Sequence, residues 1–516
     1  MRWTSSRSDT TVSEARDALP STPVTRAALA LCLAGAAYYI GVALMITLSR
    51  IGYPYALEWL EGTSLIHVER ILSGRLLYTE PSLSYVTLSY PPLYYYVSAA
   101  LSAAFGGGFT PLRVVSLGAS VGCVGLIYAT VRHQRATVSA SLISAGLFCA
   151  TFRIGGAWFD IARVDMLAAF LMLASLRLML SRTSLGMGLA GIAITLACLT
   201  KQPYLIVLVA MCAHLLIVHR DRNAAVFVMT SVGSLAAATW LLNQVHGGWY
   251  GFFVFEMPGR HDLIREFEYG SRLLWIDTMV LAVPVVAAIA MWFLLGVLRA
   301  STRPTERGSW PRDAAAILVV TGATLAISWS GLMNPGGYNN VLVPLLAMLA
   351  VIAGLGLDRI LKTWTGAAAS AGIALLAVQF AILYFPPGAQ VPTEQDRLAG
   401  DEIVNLLRAQ DGDVFVPYHP ELPLFAGKPA YANYIALYEL EGGQGGGDEK
   451  LWSQVRSALA AAVARRKFEL ILLDKPQFWG APDRYYGSSE VGFEQGVFYP
   501  VTGWRTRPDV AYSVTP

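Results

Sequence analysis

Residues 27–48 read AALALCLAGAAYYIGVALMITL, twenty-two positions without a charged side chain. An α-helix rises about 1.5 Å per residue, so this run extends about 33 Å and covers the roughly 30 Å hydrocarbon core of a bilayer. The run is too long for the apolar core of a signal peptide, and it lacks a persuasive cleavage site. It is therefore predicted to be a retained first membrane span.

Composition extends this prediction to most of the chain. Of 516 residues, 55% are hydrophobic and 14% charged, and the mean hydropathy is +0.49, whereas soluble domains carry about 25% charged residues. An ordinary soluble enzyme, a disordered chain and a disulfide-rich secreted module are excluded. Eleven apolar runs of spanning length are found at 27–48, 112–131, 136–152, 164–181, 184–200, 203–218, 224–243, 273–298, 313–331, 338–356 and 364–384. The predicted fold class is a polytopic α-helical membrane protein with about eleven transmembrane helices.

Charge divides the chain into two parts. Residues 390–516 hold 12 Lys and Arg and 17 Asp and Glu, a net charge of −5, whereas residues 1–389 hold 26 and 18. We predict a cytoplasmic tail at 1–26, a transmembrane catalytic domain at 27–389 and a small extracytoplasmic α/β domain at 390–516. Its predicted elements are helix 393–409, strand 413–417, helix 450–466 and strand 468–474.

The stretch 91–106 decides the topology. It is short, opens with two prolines and carries three consecutive tyrosines, which is typical of an interfacial helix. If it does not span, sixteen cations of the tail and of alternate short loops fall on one side of the membrane, as the positive-inside rule requires. We therefore predict a juxtamembrane helix within a first outer loop at 49–111. The protein is then a multi-pass protein of the inner (plasma) membrane, with a cytoplasmic N-terminus and an extracytoplasmic C-terminal domain.

The first outer loop contains two carboxylates near the end of the first span. Glu58 and Glu61 lie three positions apart in the sequence YALEWLEG, so on a helical turn they would share a face. Such a pair can bind a cation, or one carboxylate can act as a general base while the other orients it. Acidic residues also cap helices, so both the catalytic and the structural interpretation stay open.

Later outer-face segments add further charges near the membrane. Asp165 is predicted at the start of a helix, and Lys201 lies between two apolar runs. A lysine at membrane depth costs a few kcal/mol unless it is paired, so a carboxylate or a bound phosphate is expected beside it. The segment from Glu256 to Arg260, with Arg265 and Arg272 after it, offers guanidinium groups suited to phosphate oxygens.

The order and spacing of these features resemble the GT-C superfamily of polyprenyl-phosphate-sugar-dependent glycosyltransferases. The resemblance is to the bacterial branch that contains lipid A aminoarabinose transferases and relatives of protein O-mannosyltransferases, the family 39 type. It covers roughly residues 45–385. The elements that carry it are the acidic motif at Glu58 to Glu61, the helix Pro91-Pro92-Leu93-Tyr94-Tyr95, Arg113, Arg163-Val164-Asp165, Thr200-Lys201, Glu256 with Arg260, and Tyr338-Asn339-Asn340.

The resemblance implies roles for individual residues. Leu60 stands where relatives carry the Asp of an Asp-Glu pair, so the catalytic carboxylate would be Glu58 or Glu61, and Asp165 would face the same cavity. The residues implied in binding the donor phosphate are Arg260, Lys201, Arg75 and Tyr90, the last in place of a lysine that some relatives carry. The residues implied in lining the cavity or meeting the acceptor are Tyr338, Asn339, Asn340 and Glu256.

The implied activity is inverting transfer of a sugar from a polyprenyl-phosphate donor to a lipid, glycan or protein acceptor on the outer face. No cofactor is required and no metal ligand is assigned, although a divalent cation remains possible because carboxylates are present. The expected partners are the donor, the acceptor and the bilayer, without nucleic acid. Two alternatives are a secondary transporter and a catalytically inactive relative that binds lipid-linked sugar, the latter suggested by Leu60.

Overall fold

The computed structural model describes residues 22–262, 310–334, 336–443 and 445–514. The predicted span 273–298, most of the N-terminal tail, Arg265 and Arg272 lie outside the described residues. The helices described in the membrane domain are α1 (Pro23–Arg50), α2 (Glu61–Leu72), α3 (Leu93–Phe105), α4 (Phe109–His133), α5 (Val138–Ala150), α6 (Asp165–Met179), α7 (Ser184–Cys198), α8 (Leu205–Val218), α9 (Arg222–Val245), α10 (Trp310–Met333), α11 (Val343–Thr363) and α12 (Gly366–Ile382).

Five stretches of the described chain are helical, long and apolar enough to cross a membrane: Pro23–Arg50, Phe109–His133, Arg222–Val245, Asp313–Met333 and Asn339–Thr363. Four further apolar helices have 10–17 residues: Leu93–Phe105, Val138–Ala150, Ser184–Cys198 and Gln202–Val218. The predicted helical membrane architecture is confirmed, and the number of eleven spans stays a prediction.

Helix α1 shows how the sequence begins and packs a span. The Thr22 side chain accepts a hydrogen bond from the Thr25 backbone N–H, and Pro23 occupies the first helical position, where its missing N–H costs nothing. The helix packs against α5 and α12. At Gly146 of α5 a Cβ would lie 2.3 Å from Ala36 Cβ, so only glycine permits this approach of α1 and α5.

The helix in the first outer loop is too short to cross a bilayer. Helix α3 has 13 residues, about 20 Å of rise, and it packs against α2 and α4. Tyr94 is buried and its hydroxyl donates to the backbone oxygen of Leu112 at 2.8 Å. The predicted helix is present, and its position relative to the membrane surface stays a prediction.

The C-terminal region is the predicted α/β unit. Its elements are α13 (Glu394–Arg408), β1 (Asp413–Phe415), α14 (Glu421–Phe425), α15 (Tyr434–Glu441), α16 (Glu449–Ala464), β2 (Phe468–Leu473), β3 (Gly487–Glu490) and β4 (Val510–Ser513). The sheet order is β1-β2-β4-β3, with β1 parallel to β2 and the other pairs antiparallel. The predicted strand 413–417 is shorter than expected. The domain boundary at 390 stays a prediction.

This unit packs directly on the first outer loop. Tyr55 donates from its hydroxyl to Asp401 at 2.6 Å, and the Thr502 backbone N–H donates to the Leu57 carbonyl at 3.2 Å. One hydrophobic cluster also joins Leu88 of the loop to Leu437 of α15. The two parts therefore share an apolar and polar contact surface, and the candidate site lies along it.

Candidate functional site

A cavity of about 420 Å³ lies between the membrane domain and the C-terminal unit. The membrane domain contributes Glu58, Tyr90, Arg163, Lys201, Tyr338 and Asn340 to its lining, among others. The C-terminal unit contributes Tyr434, Tyr438, Glu439, Gly503 and Trp504. Five of the residues implied by the family resemblance thus meet at one cavity, namely Glu58, Tyr90, Lys201, Tyr338 and Asn340.

Glu58 is the carboxylate of the first outer loop that lines this cavity. It lies in the turn before α2, and its side chain is 2% exposed. Its Oε2 accepts hydrogen bonds from Arg163 Nη1 at 3.1 Å and from the Leu60 backbone N–H at 3.2 Å. Burial raises the pKa of Glu58 to about 7, although Arg163 opposes the shift. A carboxyl group that titrates near neutral pH is well matched to general-base catalysis.

Glu61 has a different environment. It begins α2 and is fully buried, and Arg113 donates to both of its oxygens, from Nη2 at 2.7 Å and Nε at 3.2 Å. Backbone N–H groups of Leu57 and Ala162 also donate to it, at 2.7 and 2.6 Å. Glu61 therefore has four donors, which indicates a structural role. The predicted shared face is not observed, because Glu58 precedes the helix and pairs with a different arginine.

Arg163 was not assigned to the site from sequence, although it is one of the outer-face cations. Its Nη1 donates to Glu58 and its Nη2 to the Tyr90 hydroxyl at 3.2 Å, and its guanidinium carbon lies 5.5 Å from the Tyr90 ring centroid. The side chain is 4% exposed. The available signal in the sequence was that Arg163 lies two residues before Asp165. This signal does not reveal the contact of Arg163 with Glu58, which is 105 residues away.

The lysine predicted to need a partner has one. Lys201 Nζ lies 2.6 Å from Asp165 Oδ1, at the start of α6. Asn340 Nδ2 also donates to Oδ1 at 2.9 Å, and Trp158 Nε1 donates to Oδ2 at 2.9 Å. Asp165 therefore orients Lys201 and Asn340 at the cavity wall, while it is itself 3% exposed.

Other predicted residues do not line the cavity, although Pro258 and His261, on either side of Arg260, do. Arg260 pairs with Glu256 and with Asp448 at 3.2 Å, and it donates to the Gly447 carbonyl at 2.9 Å. The role of Arg260 in binding the donor phosphate, which the resemblance implied, stays a prediction. Arg75 is exposed and is not among the cavity-lining residues. Asn339 begins a 3₁₀ turn, and its neighbour Asn340 is the one that lines the cavity.

The residues of the C-terminal unit that line the site had no signal in the sequence, and three of them contact the first outer loop. Glu439 accepts from the Ser89 hydroxyl at 2.9 Å, and burial raises its pKa to about 7. Trp504 stacks on Trp59 with ring centroids 5.8 Å apart. Gly503 lies beside Glu58, and a Cβ at position 503 would be 3.0 Å from Glu58 Oε1. The unit was predicted as a separate domain, so its contribution to the site was not foreseen.

The site also bears on the question of metals. Within the part of the chain that the structure describes, no three His, Cys, Asp or Glu side chains are grouped so that they would hold a metal ion. The carboxylates near the cavity are engaged by arginine, lysine and backbone N–H groups. Involvement of a divalent cation therefore stays a prediction.

Comparison with known proteins gives one partial sequence match. Residues 89–243 match the sequence model of the dolichyl-phosphate-mannose-protein mannosyltransferase family. No curated protein sequence matches the chain. The matched segment runs from Ser89 at the cavity wall through Arg163, Asp165 and Lys201, and it does not include Glu58 or the lining residues of the C-terminal unit.

Solved structures match over nearly the whole chain. ArnT from Cupriavidus metallidurans, bound to undecaprenyl phosphate, aligns with a TM-score of 0.58 and 14% identity over 92% of this chain and 97% of that one. AglB from Archaeoglobus fulgidus, in complex with an inhibitory peptide and a dolichol-phosphate, aligns with a TM-score of 0.51 and 13% identity over 87% and 72%. The mycobacterial arabinofuranosyltransferase AftD aligns with a TM-score of 0.52 and 15% identity over 96% and 42%.

These matches bear on the alternatives raised by the sequence. The transporter and the inactive-relative interpretations gain no support from them. The resemblance seen in the sequence is confirmed: the chain has the fold of the GT-C glycosyltransferases, and its residues 89–243 match the mannosyltransferase family within that superfamily.

Proposed function

We propose that this protein is an inverting glycosyltransferase that moves a sugar from a polyprenyl-phosphate carrier to an acceptor on the extracytoplasmic face. The single observation that carries the proposal is the cavity that brings Glu58, with a pKa of about 7, together with Arg163 and Lys201. The ligands of the matched ArnT and AglB structures, undecaprenyl phosphate and dolichol-phosphate, support the donor class.

Glu58 acts as the general base in this proposal. Both hydrogen bonds observed within the described residues reach Oε2, and Oε1 is directed toward the loop at Gly503. The carboxylate takes the proton of an acceptor hydroxyl or amine while that group attacks the anomeric carbon. The bond from the anomeric carbon to the phosphate oxygen breaks, and the polyprenyl phosphate departs with the electron pair.

Arg163 and Lys201 stabilise the departing phosphate. Both line the cavity, and both are largely buried, at 4% and 13% exposure. Cations fixed in a water-poor site stabilise developing negative charge more than mobile ones in water. A carboxylate holds each cation in place: Glu58 pairs with Arg163, and Asp165 pairs with Lys201. The two side chains therefore need to move little when the phosphate leaves.

The location of the site fits a lipid-linked donor. The cavity lies where the outer loops meet the ends of the apolar helices, and Ile327 and Val341 also line it. We propose that the cavity faces the extracytoplasmic side of the inner membrane, as the distribution of cations in the sequence predicts.

A transfer assay tests the proposal. The purified protein in liposomes is given radiolabelled polyprenyl-phosphate sugars, and Glu58→Gln and Arg163→Ala are compared with the wild type. Arg153→Ala is the matched control, because Arg153 lies in the same loop and is exposed. We expect Glu58→Gln to lower the transfer rate by roughly 10² to 10⁴, the usual contribution of a general base, and Arg153→Ala to retain it.

Two outcomes would contradict the proposal. Full activity of Glu58→Gln would show that another group is the base. Failure of the wild-type protein to bind any polyprenyl-phosphate sugar would contradict the proposed class of donor.

A further inference from the structure

The C-terminal unit contains a second cavity, an open groove of about 720 Å³. Its aromatic lining is Tyr418, Tyr434, Tyr438, Phe478 and Trp479, and its charged lining is Glu441, Arg456 and Lys475. The proposed chemistry at Glu58 uses none of these side chains. Their concentration on one groove outside the catalytic cavity calls for a ligand rather than for core packing alone, because Trp479, Tyr434 and Tyr438 are only half-buried.

Tyr434 is nearly parallel to three other rings of this groove, whereas Phe478 is tilted by 58° against Tyr418 and by 63° against Trp479. Tyr434 stacks with Tyr418 at a centroid distance of 4.1 Å and 20° between planes, with Tyr438 at 5.8 Å and 16°, and with Trp479 at 5.3 Å and 24°. Edge-to-face contacts are at least as common in cores. Tyr434 covers one face of each of these neighbours, but Tyr438 and Trp479 are only half-buried. Part of their apolar surface is therefore open to the groove, and the axial C–H groups of a pyranose ring form an apolar face that can pack on it.

The charged rim fits the hydroxyl groups of a sugar. Arg456 and Lys475 are exposed and donate hydrogen bonds, while Glu441 accepts them, as it does from Trp479 Nε1 at 2.9 Å. A hydroxyl group both donates and accepts, so a rim of both signs suits a neutral polyol better than an ion. Proline-rich peptides also dock on aromatic grooves, but proline has no backbone N–H, so such a peptide offers few donors to Glu441, whereas sugar hydroxyl groups both donate and accept.

The groove is continuous with the catalytic cavity. Tyr434 and Tyr438 line both, and Glu439, between them on α15, lines the catalytic cavity. A chain of linked sugars lying on the rings of the groove would therefore pass these two tyrosines and place its end beside Glu58. A lipid or a single sugar acceptor would leave the groove unused.

We propose that this aromatic groove is the binding subsite for an oligosaccharide acceptor, which it holds while the terminal sugar enters the cavity at Glu58. This inference rests on the proposed function and names its acceptor class. The groove determines acceptor affinity, and the chemistry at Glu58 does not depend on it.

Saturation-transfer NMR on the full-length protein in nanodiscs tests the groove, with neutral α- and β-linked glucan and mannan oligosaccharides of two to six units as probes. We expect transfer from aromatic protons to sugar C–H groups, and a Kd raised roughly tenfold or more by Trp479→Ala. Tyr485→Ala is the matched control, because Tyr485 is an exposed aromatic residue of the same unit that does not line the groove.

A second variant protects the test against loss of packing. Trp479 also contacts Trp452 and Phe478, so its removal disturbs neighbours, whereas Arg456→Glu with Lys475→Glu changes only exposed side chains. We expect this double variant to weaken oligosaccharide binding as well and to raise the acceptor KM without changing kcat.

The outcomes separate the two proposals. Binding of oligosaccharides that the groove variants abolish, in a protein without transferase activity, would support the groove and contradict the proposed function. Transfer to acceptors with no effect of either groove variant would contradict the groove alone. Absence of binding by every saccharide probe, or displacement of a bound saccharide by a proline-rich peptide of higher affinity, would also overturn it.

Discussion

The substitution Glu61→Gln separates the structural glutamate from the catalytic one. Glutamine has nearly the same shape, but it replaces one acceptor oxygen by an NH₂ donor and removes the negative charge. In the native protein Arg113 Nη2 and the Leu57 N–H point at Oε2, and Arg113 Nε and the Ala162 N–H point at Oε1. Whichever way the amide is oriented, its NH₂ faces two donors.

The cost follows from the burial of the pair. Arg113 and Glu61 are both 0% exposed, and their closest atoms are 2.7 Å apart. Removing one partner of a buried ion pair leaves an uncompensated charge and costs about 3–5 kcal/mol. Arg113 keeps its hydrogen bonds to the Tyr53 and Tyr55 carbonyls at 2.6 Å, which do not neutralise it. We therefore expect a loss of about 3–5 kcal/mol in the free energy of unfolding.

Equilibrium unfolding in mixed micelles, followed by tryptophan fluorescence, measures this loss, and Glu58→Gln is the matched control. Glu58 is also buried beside an arginine, but it accepts two hydrogen bonds rather than four, and burial raises its pKa to about 7. We therefore expect Glu58→Gln to lose less stability than Glu61→Gln while losing transfer. Replacing both members of the buried pair, Glu61→Gln with Arg113→Met, should recover much of the stability, because no unpaired charge remains.

The reverse pattern would refute the assignment. If Glu61→Gln were as stable as the wild type and inactive, while Glu58→Gln transferred sugar normally, Glu61 would be the base. The number of hydrogen bonds to each carboxylate would then not indicate which one accepts the proton.

Three further predictions concern the close approach of Gly503 to Glu58, the titration of Glu58 and the titration of Glu421. Gly503→Ala should lower transfer at least tenfold, because its Cβ would lie 3.0 Å from Glu58 Oε1; Gly492→Ala, which has a similarly positive φ of 84° and open space around it, should retain activity, and equal losses in the two would contradict the contact. The kcat/KM should rise from pH 6 to pH 8 with an apparent pKa of about 7, because only the deprotonated form of Glu58 accepts a proton; a flat profile would exclude it as the base. Burial raises the pKa of Glu421 from 4.5 to about 7, so the folded state keeps a proton that the unfolded state releases, and stability is lost as pH rises from about 4.5 to 7. Glu421→Gln should then stabilise the protein at pH 8, by up to roughly 3 kcal/mol, but not at pH 4, as thermal unfolding at the two pH values would show.

Local patterns predicted much of the fold. An uncharged run such as 27–48 predicts a membrane helix because its length and composition alone determine the transfer free energy into lipid. The charge-rich residues 390–516 predict a water-exposed unit, because charged side chains are costly to transfer into lipid. The helices and strands of this unit appear in the predicted order. The need of Lys201 for a counter-charge was also predictable, because a buried ammonium group is costly wherever it lies.

The tertiary structure alone decided how the site is assembled. Sequence placed Glu58 and Glu61 three residues apart, but their roles depend on Arg163 and Arg113, which lie 105 and 52 residues away from them. The contact of Arg260 with Asp448, 188 residues away, was likewise not visible in the sequence. The part of the cavity formed by the C-terminal unit was equally hidden. Hydrogen bonds and ion pairs act over a few ångströms in space, and chain separation carries no information about that distance until the helices and the sheet have packed.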